Sequence, residues 1–335
     1  MPRYLVTGGA GFIGAHLVGA LVARGESVRI LDNFSTGSVR NLAFVLGRSV
    51  ESGAETEDTL AGDGVEVIRG DIRDPATCAA ACEGVEIVLH QAAMRSVPRS
   101  VDDPRGATEH NVAGTLNLLI AASRAGVRRF VYASSSSVYG DEPALPKRED
   151  HLPSPISPYA ASKLAGEYYC RVFARTYGLA TVSLRYFNVF GPLQDPRSPY
   201  AAVIPRFIAW TLAGHPLEIH GDGLQSRDFT YVDNVVAANL LAAEAPDLAG
   251  EALNIACGER LTLLEVADLI ERLVGRRVPR QHTAPRRGDV RHTLADISRA
   301  RAILGYEPQV PFAEGMARTV AFFAHQPDAD RFSGG

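Results

Sequence analysis

The sequence predicts an α/β protein: a parallel sheet wound on both faces by helices, with a smaller substrate lobe interleaved toward the C-terminus. Three observations predict it. Short apolar runs alternate with longer helical patterns from Arg3 to Arg185. The first run passes directly into Gly8-Gly9-Ala10-Gly11-Phe12-Ile13-Gly14, the strand, glycine turn and helix that open a Rossmann-type dinucleotide site. The residues with chemical character, Gly8, Asp32, Asp71, Gln91 and Ser134, fall where strands end, the edge at which doubly wound sheets bind ligands.

Bulk properties narrow the function. The 335 residues, 46% hydrophobic and 21% charged, are enough for one large domain or two modest ones. A net charge of −4 gives no reason to expect nucleic acid as a partner. No apolar run is long enough to span a bilayer, and Leu5-Val6-Thr7 runs into glycines rather than a targeting segment. A cytoplasmic protein is expected. Cys78 and Cys82 share a helix face, but no second pair follows at zinc-like spacing. They read, with Cys170 and Cys257, as reduced packing residues, and no metal site is expected.

Each element has a local reason. Arg3 to Thr7 is a buried strand and His16 to Arg24 the helix after it. Gly8 permits the tight turn, Gly11 the approach of a pyrophosphate to the backbone and Gly14 the close packing of helix on strand. The helix N-terminus brings partial positive charge to the phosphates. A second strand, Ser27 to Leu31, ends at Asp32, an acidic residue that bonds ribose hydroxyls and repels a 2′-phosphate, favouring NAD over NADP. Asn33, Phe34, Ser35, Thr36 and Gly37 continue around the adenosine. Residues 49–64 are polar and read as a flexible surface insertion. The pattern resumes at Val65 to Ile68, with Asp71 and Ile72 placed to flank the adenine, then a short helix from Pro75 to Cys82. Glu86 to His90 is a strand ending in Gln91-Ala92-Ala93, small enough for close approach of a cofactor, with the loop Arg95-Ser96-Val97-Pro98 at the same edge. A helix from Asn111 to Arg124, a strand from Phe130 to Ser134 and a strand from Ala180 to Arg185 complete the alternation. Phe12, Ile13, Asn111 and Tyr186 join the candidate cofactor contacts.

Beyond Arg185 the alternation breaks and Gly, Pro and Arg become frequent. The expected division is a dinucleotide-binding domain over 1–187, rejoined by 232–257, a substrate lobe over 188–231 and 258–326, and a frayed tail over 327–335.

The chemistry centres on Ser134 to Lys163. Tyr159 and Lys163 stand at i, i+4, on one face of a helix whose first turn accepts Pro158. A tyrosine is a poor base at neutral pH. A lysine cation one turn away stabilises the phenolate and lowers that value, which makes the pair a general base with its own activator. Single arginines such as Arg24 and Arg40 read as surface residues, and His90 and His220 as strand-end packing.

With these residues assembled, the chain resembles the extended short-chain dehydrogenase/reductase family, and within it the NAD-dependent nucleotide-sugar 4-epimerases acting on UDP-hexoses and UDP-N-acetylhexosamines. The resemblance rests on Thr7 to Gly14, Asp32-Asn33-Phe34, Ser135-Ser136-Ser137-Val138-Tyr139-Gly140, Tyr159 with Lys163, Arg185-Tyr186-Phe187-Asn188, Ser226-Arg227-Asp228-Phe229 and Arg286-Arg287-Gly288-Asp289-Val290-Arg291-His292. It implies that Tyr159 is the base, that Lys163 positions the nicotinamide ribose and that Ser135 supplies the catalytic hydroxyl. It places Ser96, Ser136 and Ser137 on the hexose, and Asn188, Arg227 and Arg286 on the UDP diphosphate. Asp289 falls on the uridine ribose, with Ala202, Val203 and Leu217 to His220 near the uracil. Arg95 aligns with a lysine that some 4-epimerases place near the cofactor phosphates, and it could instead face the sugar. Four residues past Asp289, Thr293 falls near the sugar's 2-substituent, where a small residue admits an N-acetyl group. Helices 111–124 and 158–177 resemble those that pair relatives into homodimers.

Two rival enzymes remain on this scaffold. Dehydratase relatives carry Asp-Glu directly after the catalytic hydroxyl, where this chain has Ser136 and Ser137, neither a carboxylic acid. UDP-uronate epimerases place Thr and Arg at Asn188 and Asp195, and an aspartate beside a sugar carboxylate repels it. Arg95 keeps the uronate reading alive. A non-catalytic NAD sensor is disfavoured by the intact Ser135, Tyr159 and Lys163.

Overall fold

The structure is a computed structural model that describes residues 2–48, 60, 62–197, 201–285 and 290–326. Strands β1 (Tyr4–Thr7), β2 (Val28–Asp32), β3 (Val65–Arg69), β4 (Ile87–His90), β5 (Arg129–Ser135) and β6 (Thr181–Tyr186) form one sheet with a late arrival. Shorter strands intervene, β7 (Val189–Phe190), β8 (Leu217–His220), β9 (Ser226–Arg227) and β10 (Thr230–Tyr231), before β11 (Glu251–Ile255) completes it. The order is β11-β6-β5-β4-β1-β2-β3, and every pairing is parallel. The chain winds outward from β1 through β2 and β3, then returns to β4 on the other side of β1. That reversal opens a crevice at the carboxyl ends of β1 and β4. Register sets the crevice level: Thr7 lies opposite Leu31 and His90, so Gly8, Asp32 and Gln91 leave the sheet together.

Helices cover both faces because both faces are apolar. On one face α1 (Phe12–Ala23), α2 (Val39–Val45) and later α9 (Val232–Glu244) and α11 (Ser298–Leu304) bury Leu17, Leu21, Leu42, Val235 and Leu304 against Val6, Ile30 and Leu184. On the other, α3 (Pro75–Cys82), α6 (Thr115–Arg124) and α7 (Pro158–Tyr177) pack Cys78, Cys82, Leu118, Leu119 and Phe173 on Leu5, Val88 and Phe130. The cysteines are free, and burial pushes the thiols of Cys78, Cys82 and Cys257 up to about 12, so they are inert packing groups.

The helix expected over 111–124 is interrupted. A π-helical segment, Glu109–Gly114, precedes α6. The Thr115 hydroxyl donates to the Asn111 carbonyl (2.7 Å), taking the acceptor that a regular helical turn would use, and such π segments cluster at functional sites.

A second core lies beside the sheet. Here β8 pairs in parallel with β13 (Arg280–Thr283), and α8 (Val203–Ala213), α10 (Leu263–Val274) and α12 (Phe312–His325) bury Phe207, Ile219, Ile270, Phe312 and Met316. Two-residue pairs, β7 with β10 and β9 with β12 (Leu261–Thr262), knit the two cores together. The segment around α11 lies within the 258–326 span expected in the lobe, yet Ala295, Ile297, Ala300, Leu304 and Tyr306 pack into the sheet core. Most of the polar stretch 49–64 lies outside the described residues. Leu60 does not, and it is fully buried against the sheet core rather than on the surface. The expected tail, 327–335, also lies outside them.

A dinucleotide cradle and a tyrosine-serine site in one cleft

A cleft of about 1130 Å³ runs over the carboxyl ends of β1, β2, β4 and β5 and under the second core. That exceeds the roughly 300–1,000 Å³ of a pocket for one small ligand.

One end is made of backbone. Gly8 has φ +66°, and a β-carbon there would lie 2.8 Å from the Ala92 backbone. A β-carbon on Gly14 would lie 2.1 Å from the Gly8 carbonyl oxygen. Gly11 caps α1 without a side chain, and no acidic residue occupies the first turn, so its amide groups face an anion unopposed. Asp32 is pinned at the end of β2, one oxygen accepting from the Ala10 amide (2.9 Å) and the other from the Phe34 amide (2.8 Å). Burial raises its carboxyl above the usual range. Asn33 donates to Asp71 (2.9 Å), and Asp71 is also held by Arg73 (2.9 and 3.0 Å), which keeps the Asp71 carboxyl well below its ordinary value. Ser35, Thr36, Gly37 and Ile72 complete the wall. A cradle with no room for β-carbons, free helix amides and a fixed carboxylate at the second strand end fits a dinucleotide whose ribose has a free 2′-hydroxyl.

Along the middle, Ala92 and Ala93 line the cleft beside Gln91 and Tyr186. The last two are tied to each other (3.2 Å) and to Asn239 on α9, a residue that sequence reading missed because it is 53 positions from Tyr186. His90 is a packed strand end, as expected. Its ring nitrogens meet the hydroxyls of Thr7 (2.6 Å) and Thr115 (2.9 Å), and burial, then Lys163, lowers its pKa to about 3, so the ring is neutral.

Beyond lies the reactive cluster. Ser157 caps α7 and the Tyr159 amide donates to the Ser100 hydroxyl (3.0 Å). Tyr159, Lys163, Ser134, Ser135, Ser136, Ser137 and Ser96 all line the cleft. Ser135 caps the turn Ser136–Tyr139 by accepting the Ser137 amide (3.2 Å). Ser137 Oγ is buried with no hydrogen-bond partner among the described residues. Lys163 donates to the Ala133 carbonyl (2.8 Å), and burial lowers its pKa to about 8. Behind it, Ser134 donates to Glu167 (2.5 Å) and Glu167 pairs through both oxygens with buried Arg185 (2.9 and 2.7 Å).

The structure corrects the expected electrostatics of Tyr159. Its phenol lies above, not below, its ordinary value, because burial outweighs the pull of a hydrogen bond from Ser135 and of the Arg95 charge. The Lys163 ammonium stands 5.9 Å from the Tyr159 ring centroid, bound elsewhere.

The far end is made of side chains on the second core. Asn188, at φ +31°, donates to the Asp228 carbonyl (2.9 Å) and to the Thr293 hydroxyl (3.3 Å), which also accepts the Asp228 amide (3.3 Å). Arg227 donates to the carbonyls of Ser226 (3.0 Å) and Arg291 (3.1 Å). Asn188, Ala202, Arg227 and Thr293 line the cleft. The knot is Asp228, fully buried, whose carboxylate accepts amides from Cys257, Gly258 and Ala295 (3.0–3.2 Å). Burial raises its carboxyl to about 7.

Several expected contacts do not reach the cleft. Asn111 is buried behind it, holding the Met94 amide (2.7 Å) and carbonyl (3.1 Å), so it shapes the wall without lining it. Val203 packs against the second core instead. Leu217 and Ile219 are core residues, because alternate side chains of β8 point inward. Arg286 and Asp289 lie outside the described residues.

Residues 4–256 match the NAD dependent epimerase/dehydratase family. The chain is 41% identical over 326 residues to a UDP-glucose 4-epimerase of Mycolicibacterium smegmatis, covering 97% of this chain and 99% of that one. Among solved structures it is similar to a UDP-N-acetylglucosamine 4-epimerase of Methanobrevibacter ruminantium bound to UDP-N-acetylmuramic acid (38% identity, 96% and 98% of the chains, TM-score 0.86). It is likewise similar to a UDP-glucuronic acid 4-epimerase of Bacillus cereus bound to UDP-glucuronic acid and NAD (31%, 96% and 98%, TM-score 0.85).

Proposed function

The chain belongs to the NAD dependent epimerase/dehydratase family, and on that premise we propose that it is a UDP-sugar 4-epimerase whose substrates include UDP-N-acetylglucosamine and UDP-N-acetylgalactosamine, with UDP-glucose and UDP-galactose beside them. One observation carries this: Tyr159 and the serines Ser135, Ser136 and Ser137 share a cleft with a dinucleotide cradle, and the small Thr293 lines the same cleft.

Bound NAD supplies the hydride acceptor for the sugar's C4, later returns the hydride, and places a positive ring in the site. Tyr159 takes the proton from the C4 hydroxyl, and Ser135, within hydrogen-bonding reach of the phenol, steadies that oxygen. Lys163, anchored on Ala133, is placed to hold the nicotinamide ribose. Arg227, and Arg286 beyond the described residues, hold the diphosphate, since two negative charges in a closed site need guanidinium partners. The sugar meets hydroxyls alone on the Ser135–Ser137 side, contacts weak enough for the 4-keto sugar to turn about its diphosphate and present its other face. Dehydration needs an acid and a base after Ser135, and Ser136 and Ser137 are neither.

The test is product analysis after incubating the purified protein with UDP-sugars and no added cofactor. Interconversion of UDP-N-acetylglucosamine and UDP-N-acetylgalactosamine is expected. A protein that ignores every acetylated sugar is not the enzyme proposed. UDP-glucuronate is the second reading, favoured by one observation: Asp195 lines the cleft but is ion-paired with Arg197 (3.0 Å), which offsets part of the repulsion expected against a sugar carboxylate. The proposal extends to a homodimer formed through α7, whose outer face exposes Tyr168, Val172 and Tyr177. Light scattering on the purified protein checks it.

A further inference from the structure

We propose that Glu167 is a positioning residue: its buried carboxylate straps the serine turn to α7 and so fixes where the Ser135 hydroxyl stands relative to Tyr159. The inference rests on the reading of Tyr159 as the base and Ser135 as its hydroxyl partner.

The strap begins in the sheet register. Ser134 lies opposite Arg185, and Arg185 opposite Asn254, so three polar residues form one row across β5, β6 and β11. All three are buried, and each sits one position before the end of its strand. Their neighbours Ala133, Leu184 and Ile255 pack into the core on the α1 side, which leaves the row facing α7. From α7, Glu167 accepts the Ser134 hydroxyl (2.5 Å) and takes Arg185 through both oxygens (2.9 and 2.7 Å). The Arg185 guanidinium lies over the Tyr139 ring, 4.8 Å from its centroid, and the Tyr139 hydroxyl donates to Asn254 (2.7 Å). Tyr139 ends the turn that Ser135 caps. One carboxylate therefore holds the serine turn at both ends, at Ser134 directly and at Tyr139 through Arg185.

The same carboxylate belongs to the helix that carries the base. Tyr159, Lys163 and Glu167 follow one another at i, i+4 spacing along α7, on one face. Gly166, beside Glu167, lets the helix lie hard against β5, since a β-carbon there would overlap the Tyr132 hydroxyl. That approach lets a glutamate side chain cross from helix to sheet. A buried ion pair is poor evidence of stability, because desolvation offsets its attraction. Its use here is geometric, since a two-oxygen pair with arginine fixes direction as well as distance. A displacement of about 1 Å at a reacting group costs roughly a hundredfold in rate, so whatever sets the spacing of Ser135 and Tyr159 acts on turnover.

The experiment compares the NAD-loaded wild type, Ser134→Ala and the double variant Glu167→Leu with Arg185→Met. The double variant exchanges the pair for apolar groups, which proteins often accept without loss of stability, whereas removing one partner strands a buried charge. Melting temperature, bound NAD, and kcat and KM on the UDP-sugar that the wild type turns over fastest are measured for each. Crystal structures give the distance from Ser135 Oγ to Tyr159 Oη. In the double variant, melting temperature and NAD content are expected near wild type, with kcat lower by about tenfold or more and KM within about twofold. The Ser135–Tyr159 distance should grow by about 0.5 Å or more. Ser134→Ala should move kcat and the distance the same way by less, and it tests the strap should the double variant not fold. Wild-type kcat, or an unmoved distance, in a folded double variant overturns the proposal. Loss of NAD with the distance unmoved overturns it too and assigns the network to the cofactor. Should the wild type turn over no UDP-sugar, the proposed function fails on its own account, and the distances still decide the strap.

Discussion

At the nucleotide end of the cleft, the groups that face the ligand are backbone amides and strand-end residues set by sheet register. At the sugar end they are side chains that hold one another. Gly8, Gly14 and Asp32 occupy their places because β1 and β2 pair with Thr7 opposite Leu31. Asn188, Thr293 and Arg227 occupy theirs because Asp228 ties down amides at 257, 258 and 295. A register slip of one residue would invert every side chain of a strand, so the backbone of the first end is fixed by the sheet. The second can change its selectivity one side chain at a time. The difference suits a bound catalyst at one end and an exchangeable substrate at the other.

The comparison can be sharpened, starting where the two ends meet. Tyr159→Phe is expected to keep NAD and UDP binding while lowering turnover by about a hundredfold or more, the usual loss of a general base. Near wild-type turnover would remove Tyr159 from the mechanism.

At the sugar end, Thr293→Tyr overpacks the wall and should cost about 1–3 kcal/mol against acetylated sugars, a selective loss of roughly tenfold to a hundredfold in kcat/KM. The Thr293 hydroxyl also accepts from Asn188 and Asp228. Equal loss on acetylated and plain hexoses would therefore show that the bonded wall failed, rather than the gate.

Asp228 tests whether the sugar end is a network. Its folded carboxyl is raised to about 7, above the unfolded value near 3.9. Its contribution to stability is thus fully present below about pH 4 and is lost as pH rises through about 7. Wild type should lose stability between pH 5 and pH 7.5, and Asp228→Asn should shrink that loss by about 2–3 kcal/mol, at roughly 1.4 kcal/mol per unit. Denaturation midpoints at the two pH values measure it. The same pH slope in both proteins would mean that the three amides hold the carboxylate ionised throughout.

The smallest effect is expected at the nucleotide end. Asp32→Ala leaves the glycine cradle and helix amides in place, so NAD should still bind while its preference over NADP narrows, by about tenfold for a lost charge-assisted contact. NADP found bound to the wild-type protein would contradict the assignment of Asp32.

The two ends were unequally legible in the sequence. By itself it determined the alternating sheet, the glycine turn, Asp32 at the second strand end, and the Tyr159–Lys163 pair with its serines. All of these follow from short-range periodicity and from backbone conformations that only certain residues adopt. Tertiary structure alone decided that Asn111 clamps Met94 behind the cleft wall, that Val203 and β8 face the second core, and that the segment around α11 joins the sheet. It alone decided that burial raises the Tyr159 phenol against the pull of the Ser135 hydrogen bond. Those outcomes depend on partners such as Asn239, Asp228 and Ala295, dozens to hundreds of positions away in the chain. Burial and electrostatics act through distance in space, and sequence periodicity carries no record of it.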